Sequence, residues 1–260
     1  MPPRRISLDE AHHRRGHELA TVVSDLDRRR VVEVIDGRSR RRIERYLRSL
    51  PDGERQAIEV VSIDPYEAYR LAIKTVLPKA VIVCDPFHLV RGANTALDTV
   101  RRERQRQAGS ERGKGARRAG RTIWKRQLYQ ARHALLRGRE RLSERERMRL
   151  CELYACEPLI AEAWRLKEAF RSISRATNRS QAEERLERFL LACRLAAIPS
   201  FEAFAKGVRL WRAELLAYFD QPVTNSYAEG VSNKIKTNKR RAHGLPSFQG
   251  SRRRVLVACA

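Results

Sequence analysis

Two short apolar runs that each end on an aspartate constrain the fold of this chain more than any other feature. They cover Ile58–Ile63 and Ala80–Cys84, and Asp64 and Asp85 follow them directly. A proline comes after each aspartate and cannot donate a ladder hydrogen bond, so each predicted strand ends there. Between the runs, large side chains recur at helical spacing, namely Tyr66, Tyr69, Ile73 and Leu77. This pattern predicts a βαβ unit, hence a parallel pair with both carboxylates at one sheet edge.

Three further candidate strands precede this unit. They cover Arg5–Glu10, His17–Ser24 and Arg30–Ile35. A helix is predicted from an N-cap at Ser39 to Leu50. The resulting order, β-β-β-α-β-α-β, matches a ribonuclease-H-like mixed sheet, in which the first strand is central and the fourth lies beside it. We therefore expect Asp9 and Asp64 to lie together. The other aspartates of this region are predicted to be turn residues: Asp25, Asp27, Asp36 and Asp52.

The pattern changes to helical after these strands. A helix is predicted over 90–106, and the pattern is helical throughout 122–219. Serine caps are predicted for three of these helices: Ser143 with Glu146, Ser180 with Glu183, and Ser200 after Pro199. Residues 101–126 hold eleven Lys and Arg against two Glu, with four glycines. That segment is predicted to be a basic loop, or an arm that becomes ordered on a polyanion.

The charge balance points to a polyanionic partner. The chain has 260 residues, with Lys+Arg 55 against Asp+Glu 31, a formal net charge of +24. Phosphates neutralised by such a protein release condensed counterions, which favours binding. The five cysteines form no CxxC pair, so we expect a reduced cytoplasmic protein without a structural zinc site. No apolar run approaches 18 residues and the N-terminus does not resemble a signal peptide, so no membrane association is expected.

The segment 223–244 contains an isolated carboxylate among many cations. Glu229 is the only acidic residue between Asp220 and the C-terminus. A helix here would place Glu229, Asn233, Lys236 and Arg240 on roughly one polar face. Two interpretations stay open at this point. Glu229 is either a solvated, salt-bridged surface acid or the third oxygen ligand of a metal site.

Two motifs together resemble a known family. VSIDPYEAYRLAIKTVLPKAVIVCDPFHLVRGANTALDTVRR and, much later, TNSYAEGVSNKIKTNKRRAHGLPSF are similar to the DDE transposases of bacterial insertion sequences, in the ISL-three family. The resemblance runs from about Ser7 to the end of the chain. It implies that Asp9, Asp64 and Glu229 are the catalytic, metal-binding triad, with two Mg²⁺ ions for which Mn²⁺ substitutes.

The resemblance also implies a signature near the site and a division into domains. Asp85 and His88 fit a signature that follows the second catalytic aspartate by some twenty residues. His88 either orients the site or a DNA end, or makes a structural hydrogen bond to Asp85. Residues 1–98 and 220–260 would form the two parts of the ribonuclease-H-like core, with 99–219 as a basic loop and an all-helical insertion.

The implied partner is double-stranded DNA, both the element ends and the target, bound by a homodimer or larger assembly. The residues expected to contact DNA lie in the C-terminal segment: Asn225, Asn233, Lys234, Lys236, Lys239, Arg240 and Arg241. Members of this family usually carry a zinc-binding module and a helix-turn-helix before the core. The first predicted strand begins near residue 5, so we expect a truncated copy, a split reading frame or a mis-assigned start. Two alternatives to a transposase stay open, a catalytically silent DNA-binding remnant and a ribonuclease-H-like nuclease.

Overall fold

The chain divides into two compact units. The computed structural model describes residues 1–12, 19–110, 124–223, 227, 230–231, 233–235, 237 and 247–259. Unit 1 comprises Met1–Asp85 and Ala213–Ala260, and unit 2 comprises Pro86–Arg212. The domain limits expected from the sequence, after 98 and after 219, lie 13 and seven residues further along the chain than the limits of the units, after 85 and after 212. The roles of core and insertion for the two units stay a prediction.

Unit 1 is built on a mixed five-stranded sheet, so the α/β class expected from the sequence is confirmed. The strands are β1 (Arg5–His12), β2 (Leu19–Asp25), β3 (Arg30–Asp36), β4 (Val60–Ile63) and β5 (Val81–Cys84). Their order in the sheet is β3-β2-β1-β4-β5. The central strand β1 pairs antiparallel with β2 and parallel with β4, and β4 pairs parallel with β5. All four residues of β4 are buried, as expected for a strand covered on both faces.

Three helices connect β3 to β5. They are α1 (Arg40–Ser49), α2 (Asp52–Ala57) and α3 (Glu67–Val76). Helix α1 buries Ile43 and Leu47 and packs against α3 and β3. Ser39 holds the N-cap position of α1, as predicted, but its side chain makes no capping hydrogen bond. The short helix α2 was not predicted, because the sequence pattern ends the preceding helix at Leu50 and favours a turn at Asp52. Acidic residues in its first turn favour the helix there.

The described part of unit 2 is helical. Its helices are α4 (Pro86–Ser110), α5 (Arg132–Leu136), α6 (Glu144–Cys156), α7 (Pro158–Ile173), α8 (Arg179–Ala196) and α9 (Pro199–Leu210). Residues 124–130 are also helical, and a 3₁₀ turn covers Arg139–Arg141. Helix α4 packs against α7 and α9, and α7 packs against α8. Phe170, Phe189 and Phe204 join α7, α8 and α9 through edge-to-face contacts with ring centroids 4.9–5.8 Å apart.

The helix caps of unit 2 test the serine predictions. Ser143 and Glu146 form the predicted capping box of α6. The prediction at Ser180 was wrong, because Asn178 is the N-cap of α8 and its side chain accepts the hydrogen bond. The prediction at Ser200 was also wrong, because α9 begins one residue earlier with proline. The Ser200 hydroxyl instead donates to a carbonyl oxygen of α4 at 3.0 Å.

Two C-terminal helices complete unit 1. They are α10 (Arg212–Asp220) and α11 (Phe248–Ala258). One apolar cluster joins strand residues of β1, β2 and β3 to the C-terminal segment: Ala11, Ala20, Val22, Val31, Val34, Val231, Ile235, Val255 and Cys259. The backbone N–H of Val31 donates to the carbonyl of Cys259 at 2.8 Å, which covers the edge of β3. None of the helices in the described ranges is both long enough and apolar enough to cross a lipid bilayer.

Candidate active site

Asp9 and Asp64 occupy neighbouring positions on adjacent parallel strands. The paired register of β1 and β4 ends with Leu8 opposite Ile63, so the two aspartates stand at the next opposing positions. Parallel strands lie about 4.8 Å apart, and residues in register point to the same side of the sheet. Asp9 is only 8% exposed. Strand β1 continues past Asp9 to pair with β2, so Asp9 is held inside a strand rather than at its end.

Asp85 extends this arrangement by one strand. The register of β4 and β5 ends with Ile63 opposite Cys84, which sets Asp85 beside Asp64. Asp9, Asp64 and Asp85 therefore form a row of carboxylates across three strands, termed the aspartate row. Asp85 is the last residue of the first segment of unit 1, whereas His88 lies in the first turn of α4 in unit 2.

The aspartate row concentrates negative charge at this sheet edge. Burial, followed by the charges of Asp64 and Asp85, raises the pKa of the Cys84 thiol. Burial also raises the pKa of Tyr69, where the carboxylates of Glu10, Asp9 and Asp64 add to the effect and a hydrogen bond with Thr21 opposes it. A divalent cation would relieve such a concentration of carboxylates.

The donor chemistry of this edge fits a hard divalent cation, although the predicted ligand set is incomplete. Carboxylate oxygens are the ligands that Mg²⁺ prefers. Within the described residues there is no group of three or more His, Cys, Asp or Glu side chains placed to hold a metal. The third predicted ligand, Glu229, lies outside the described residues. Of the three predicted metal ligands, the described residues thus include two, Asp9 and Asp64.

The described residues around position 229 belong to a helical segment. Tyr227, Gly230, Val231, 233–235 and Thr237 are all helical. Val231 and Ile235 are buried in the apolar cluster that also contains Ala11 of β1. Ala11 and Asp9 are two residues apart in one strand, so they face the same side of the sheet. This segment therefore packs on the side of the sheet that carries Asp9.

The predicted DNA-contacting residues divide between described and undescribed positions. Asn233 and Lys234 are exposed. Outside the described residues lie Asn225, Lys236, Lys239, Arg240 and Arg241. Half of the basic segment 101–126 also lies outside them, namely 111–123. Residues 101–110 belong to α4, so the loop predicted there was wrong for that part.

One group of side chains beside the aspartates was not found from the sequence. The Arg38 guanidinium donates to the Glu10 carboxylate at 2.7 Å, and this hydrogen bond raises the pKa of Arg38. The same guanidinium lies 4.6 Å from the centre of the Tyr66 ring. Glu10 directly follows Asp9 and Tyr66 lies two residues after Asp64, so their positions in the sequence could have indicated these two residues. Nothing in the sequence pattern links Arg38 to either residue.

The four aspartates predicted to be turn residues have different positions in the structure. The Asp25 carboxylate accepts from the backbone N–H groups of Asp27 and Arg28 at 3.0 and 3.1 Å, which confirms it as a turn residue. Asp36 ends β3, and the prediction for Asp52 was wrong, because Asp52 is the first residue of α2. Both form surface ion pairs with nearby arginines. Their carboxylates are thereby accounted for without a catalytic role.

Comparisons with known proteins match nearly the whole chain. A family model for DDE transposases of the ISL-three group, described as "Transposase", matches residues 6–255. The transposase for insertion sequence element IS1001 of Bordetella parapertussis is 30% identical over 240 residues, 92% of this chain and 57% of that protein. The transposase for insertion sequence element IS1557 of Mycobacterium tuberculosis is 29% identical over 269 aligned positions, 99% of this chain and 59% of that protein.

The comparisons also show how much of each relative this chain covers. The chain spans somewhat less than three fifths of the length of the curated relatives it matches. No solved structure is significantly similar to the chain.

Proposed function

The chain belongs to the ISL-three family of DDE transposases, and from this premise we propose that it cleaves DNA strands and joins them to new sites. The single observation that carries the proposal is the pair of carboxylates of Asp9 and Asp64 at neighbouring positions on adjacent parallel strands. Chain segments more than fifty residues apart bring the two acids together, on a buried sheet that fixes their spacing.

The proposed catalytic residues are Asp9, Asp64 and Glu229, which would hold two Mg²⁺ ions or Mn²⁺ in their place. When bound, such ions activate an attacking water or 3′-hydroxyl and stabilise the leaving oxygen. The chain itself orients the ligands. The Asp9 carboxylate accepts a hydrogen bond from the backbone N–H of Glu10 at 2.8 Å, which restrains its orientation. Glu229 completes the set as the third ligand that the family resemblance implies.

The strand order supports a ribonuclease-H-like core. In the order β3-β2-β1-β4-β5 the first strand is central, with the fourth beside it, as that fold requires. Unit 1 would be this core, close to the expected ranges 1–98 and 220–260, and unit 2 would be the helical insertion. Asp85 and His88 would act as a signature at the junction of the core with α4.

The proposed partner is double-stranded DNA, bound by a homodimer or a larger assembly. The net charge of +24 supports a polyanionic partner, since arginine pairs well with phosphate. Asn233 and Lys234 are exposed in the segment that packs on the Asp9 side of the sheet, which supports contact with phosphates near the scissile strand.

A nicking and strand-transfer assay on supercoiled plasmid tests the proposal. We expect products that require Mg²⁺ or Mn²⁺ and that fall by at least about a thousandfold in Asp9→Asn and Asp64→Asn, because each variant removes a ligand charge. Asp52→Asn is the matched control, since Asp52 is a surface carboxylate of the same unit with a 77% exposed side chain. It should retain wild-type activity.

The same assay separates the alternatives. Nicking without strand transfer, in the presence of both metal and cut ends, would favour the ribonuclease-H-like nuclease. Equal DNA binding by wild type and Asp64→Asn, with no products from either, would contradict catalysis by this chain. It would favour a DNA-binding remnant.

A further inference from the structure

A continuous series of four contacts joins Asp9 to Asp64 beneath the proposed site. It begins at Asp9, whose Oδ1 accepts from the backbone N–H of Glu10 at 2.8 Å. The Glu10 carboxylate accepts from Arg38 Nη1 at 2.7 Å. Neighbouring residues of a strand point to opposite sides of the sheet, so Glu10 and its partner leave the Asp9 side open.

The series continues from Arg38 to Asp64. The guanidinium carbon of Arg38 lies 4.6 Å from the centroid of the Tyr66 ring, within the range of a cation–π interaction. The backbone N–H of Tyr66 donates to the carbonyl oxygen of Asp64 at 2.6 Å. Arg38 therefore connects the residue after Asp9 to the turn that contains Asp64.

The Tyr66 ring also contacts Tyr69. It packs edge-on against Tyr69, with ring centroids 5.1 Å apart and the planes at 87°. The hydroxyl of Tyr69 is 2.8 Å from Thr21 Oγ1, and Thr21 is the β2 residue opposite Glu10. The contacts thus form a closed loop through β1, β2 and the start of α3, so displacing one of its members strains the others.

We propose that Arg38 is a positioning residue that fixes the spacing of Asp9 and Asp64 through Glu10 and Tyr66. The proposal rests on the proposed function, in which these two aspartates hold the metal. Two neighbouring carboxylates repel each other, so without a cation their strand ends need an independent restraint. Groups that orient metal ligands from behind typically change metal affinity or activity 10- to 100-fold when removed.

The geometry distinguishes this role from two simpler ones. The Arg38 side chain is 41% exposed, and surface ion pairs contribute little to the stability of a fold. A merely structural role for Arg38 would therefore alter little. A role in holding DNA phosphates would weaken DNA binding and leave the metal requirement unchanged. Only a positioning role predicts weaker metal binding.

The test uses the full chain and two readouts. The first is the dissociation constant for Mn²⁺ in the absence of DNA, measured from the electron paramagnetic resonance signal of the free ion. The second is the Mn²⁺ concentration that gives half-maximal nicking. We expect Arg38→Ala and Tyr66→Leu to raise both the dissociation constant for Mn²⁺ and the Mn²⁺ concentration for half-maximal nicking about tenfold. Tyr66→Phe keeps the ring and should match wild type. Arg42→Ala removes a comparable surface ion pair, to Asp36, and should also match it.

The outcomes distinguish a failure of the positioning role from a failure of the proposed function. The positioning role would be overturned if Arg38→Ala had normal Mn²⁺ affinity and its nicking were normal, or weaker only because DNA affinity fell. The proposed function would then still stand. A second outcome is that Arg38→Ala binds Mn²⁺ more weakly than wild type, while the wild type itself makes no nicks. It would support the positioning role and reject the proposed function. Absence of Mn²⁺ binding by the wild type would overturn both.

Discussion

At the scale of single residues, Tyr69 shows how a polar group is used inside an apolar layer. Its side chain is fully buried, and its hydroxyl meets Thr21 Oγ1, which also donates to the carbonyl of Gly37 at 2.8 Å. The sequence pattern identified Tyr69 as a core residue by helical spacing. It could not identify the partner of the hydroxyl, because Thr21 is 48 residues away.

Replacing Tyr69 by phenylalanine should therefore lower the free energy of unfolding by about 1 kcal/mol, since one buried hydrogen bond is lost and the ring is kept. Urea denaturation followed by circular dichroism measures the change. Tyr129→Phe is the control, because Tyr129 is 63% exposed, and it should have no effect. An equal change in both variants would contradict the assigned role of the hydroxyl.

At the scale of helices, close packing in unit 2 depends on one glycine. A Cβ atom at Gly92 in α4 would lie 2.5 Å from Cε2 of Phe204 in α9. Gly207 in α9 has no atom within 4 Å of the corresponding position. The two glycines are both inside helices, so they differ only in the space that surrounds them.

Substitution by alanine should consequently have opposite effects at these two positions. Gly92→Ala should destabilise the chain by about 1–3 kcal/mol, because α4 and α9 must separate. Gly207→Ala should stabilise it by about 0.5–1 kcal/mol, because alanine favours the helix. Thermal unfolding of both variants checks the prediction. Destabilisation of similar size in the two would show that the helix contact is not the cause.

A buried ion pair within α4 predicts sensitivity to acid. Burial alone raises the pKa of Asp98, but its hydrogen bond from Arg101 and the charges of neighbouring arginines hold that pKa below its ordinary value of 3.8. The side chain of Arg101 is only 4% exposed, so it depends on this partner. Asp98→Asn should cost about 3 kcal/mol at neutral pH, because the variant leaves a buried charge without its partner.

The pH dependence of this loss follows from the direction of the shift. A carboxyl with a depressed pKa contributes stability that is complete above its unfolded value and is lost as pH falls through the folded one. The difference between wild type and Asp98→Asn should therefore shrink below about pH 4. Urea titrations at several pH values measure it. Glu103→Gln, on an exposed position of the same helix, should show no such difference.

These elements also show what the sequence could predict. The apolar runs at β4 and β5 located two strands, because buried parallel strands are nearly continuous in apolar residues. The capping box at Ser143 was found because both partners lie within four residues. Asn178 was missed as a cap, since a serine and a glutamate nearby formed a similar pattern. The Arg38 contacts were out of reach, because Arg38 precedes α1 and meets Glu10 of β1, 28 residues away, only in the folded chain.

At the scale of the whole molecule, the positive charge is distributed unevenly. Unit 2 contains 30 Lys and Arg against 14 Asp and Glu, a net charge of +16, whereas unit 1 contains 25 against 17, a net charge of +8. The unit that would not carry the catalytic carboxylates thus has two thirds of the excess. We expect it to supply most phosphate contacts.

DNA affinity should fall steeply with salt for this reason. With roughly six or more phosphate contacts, it should decrease about a thousandfold between about 50 and 200 mM salt. Fluorescence anisotropy with a short labelled duplex gives the slope. Asp64→Asn should show the same slope as wild type, because the carboxylate does not contact the phosphates that release counterions. A slope near zero would reject an electrostatic interface.

The discontinuity of unit 1 has a consequence for biosynthesis. Residues 213–260 leave the ribosome only after all of unit 2, which takes roughly ten seconds to synthesise. During that interval β1, β2 and β3 lack Val231, Ile235, Val255 and Cys259, the residues that cover their apolar side. The nascent sheet thus presents an uncovered face and an unpaired edge at β3, which are features that chaperones bind. A newly made chain therefore acquires the surface around Asp9 late, after its most basic unit has already emerged.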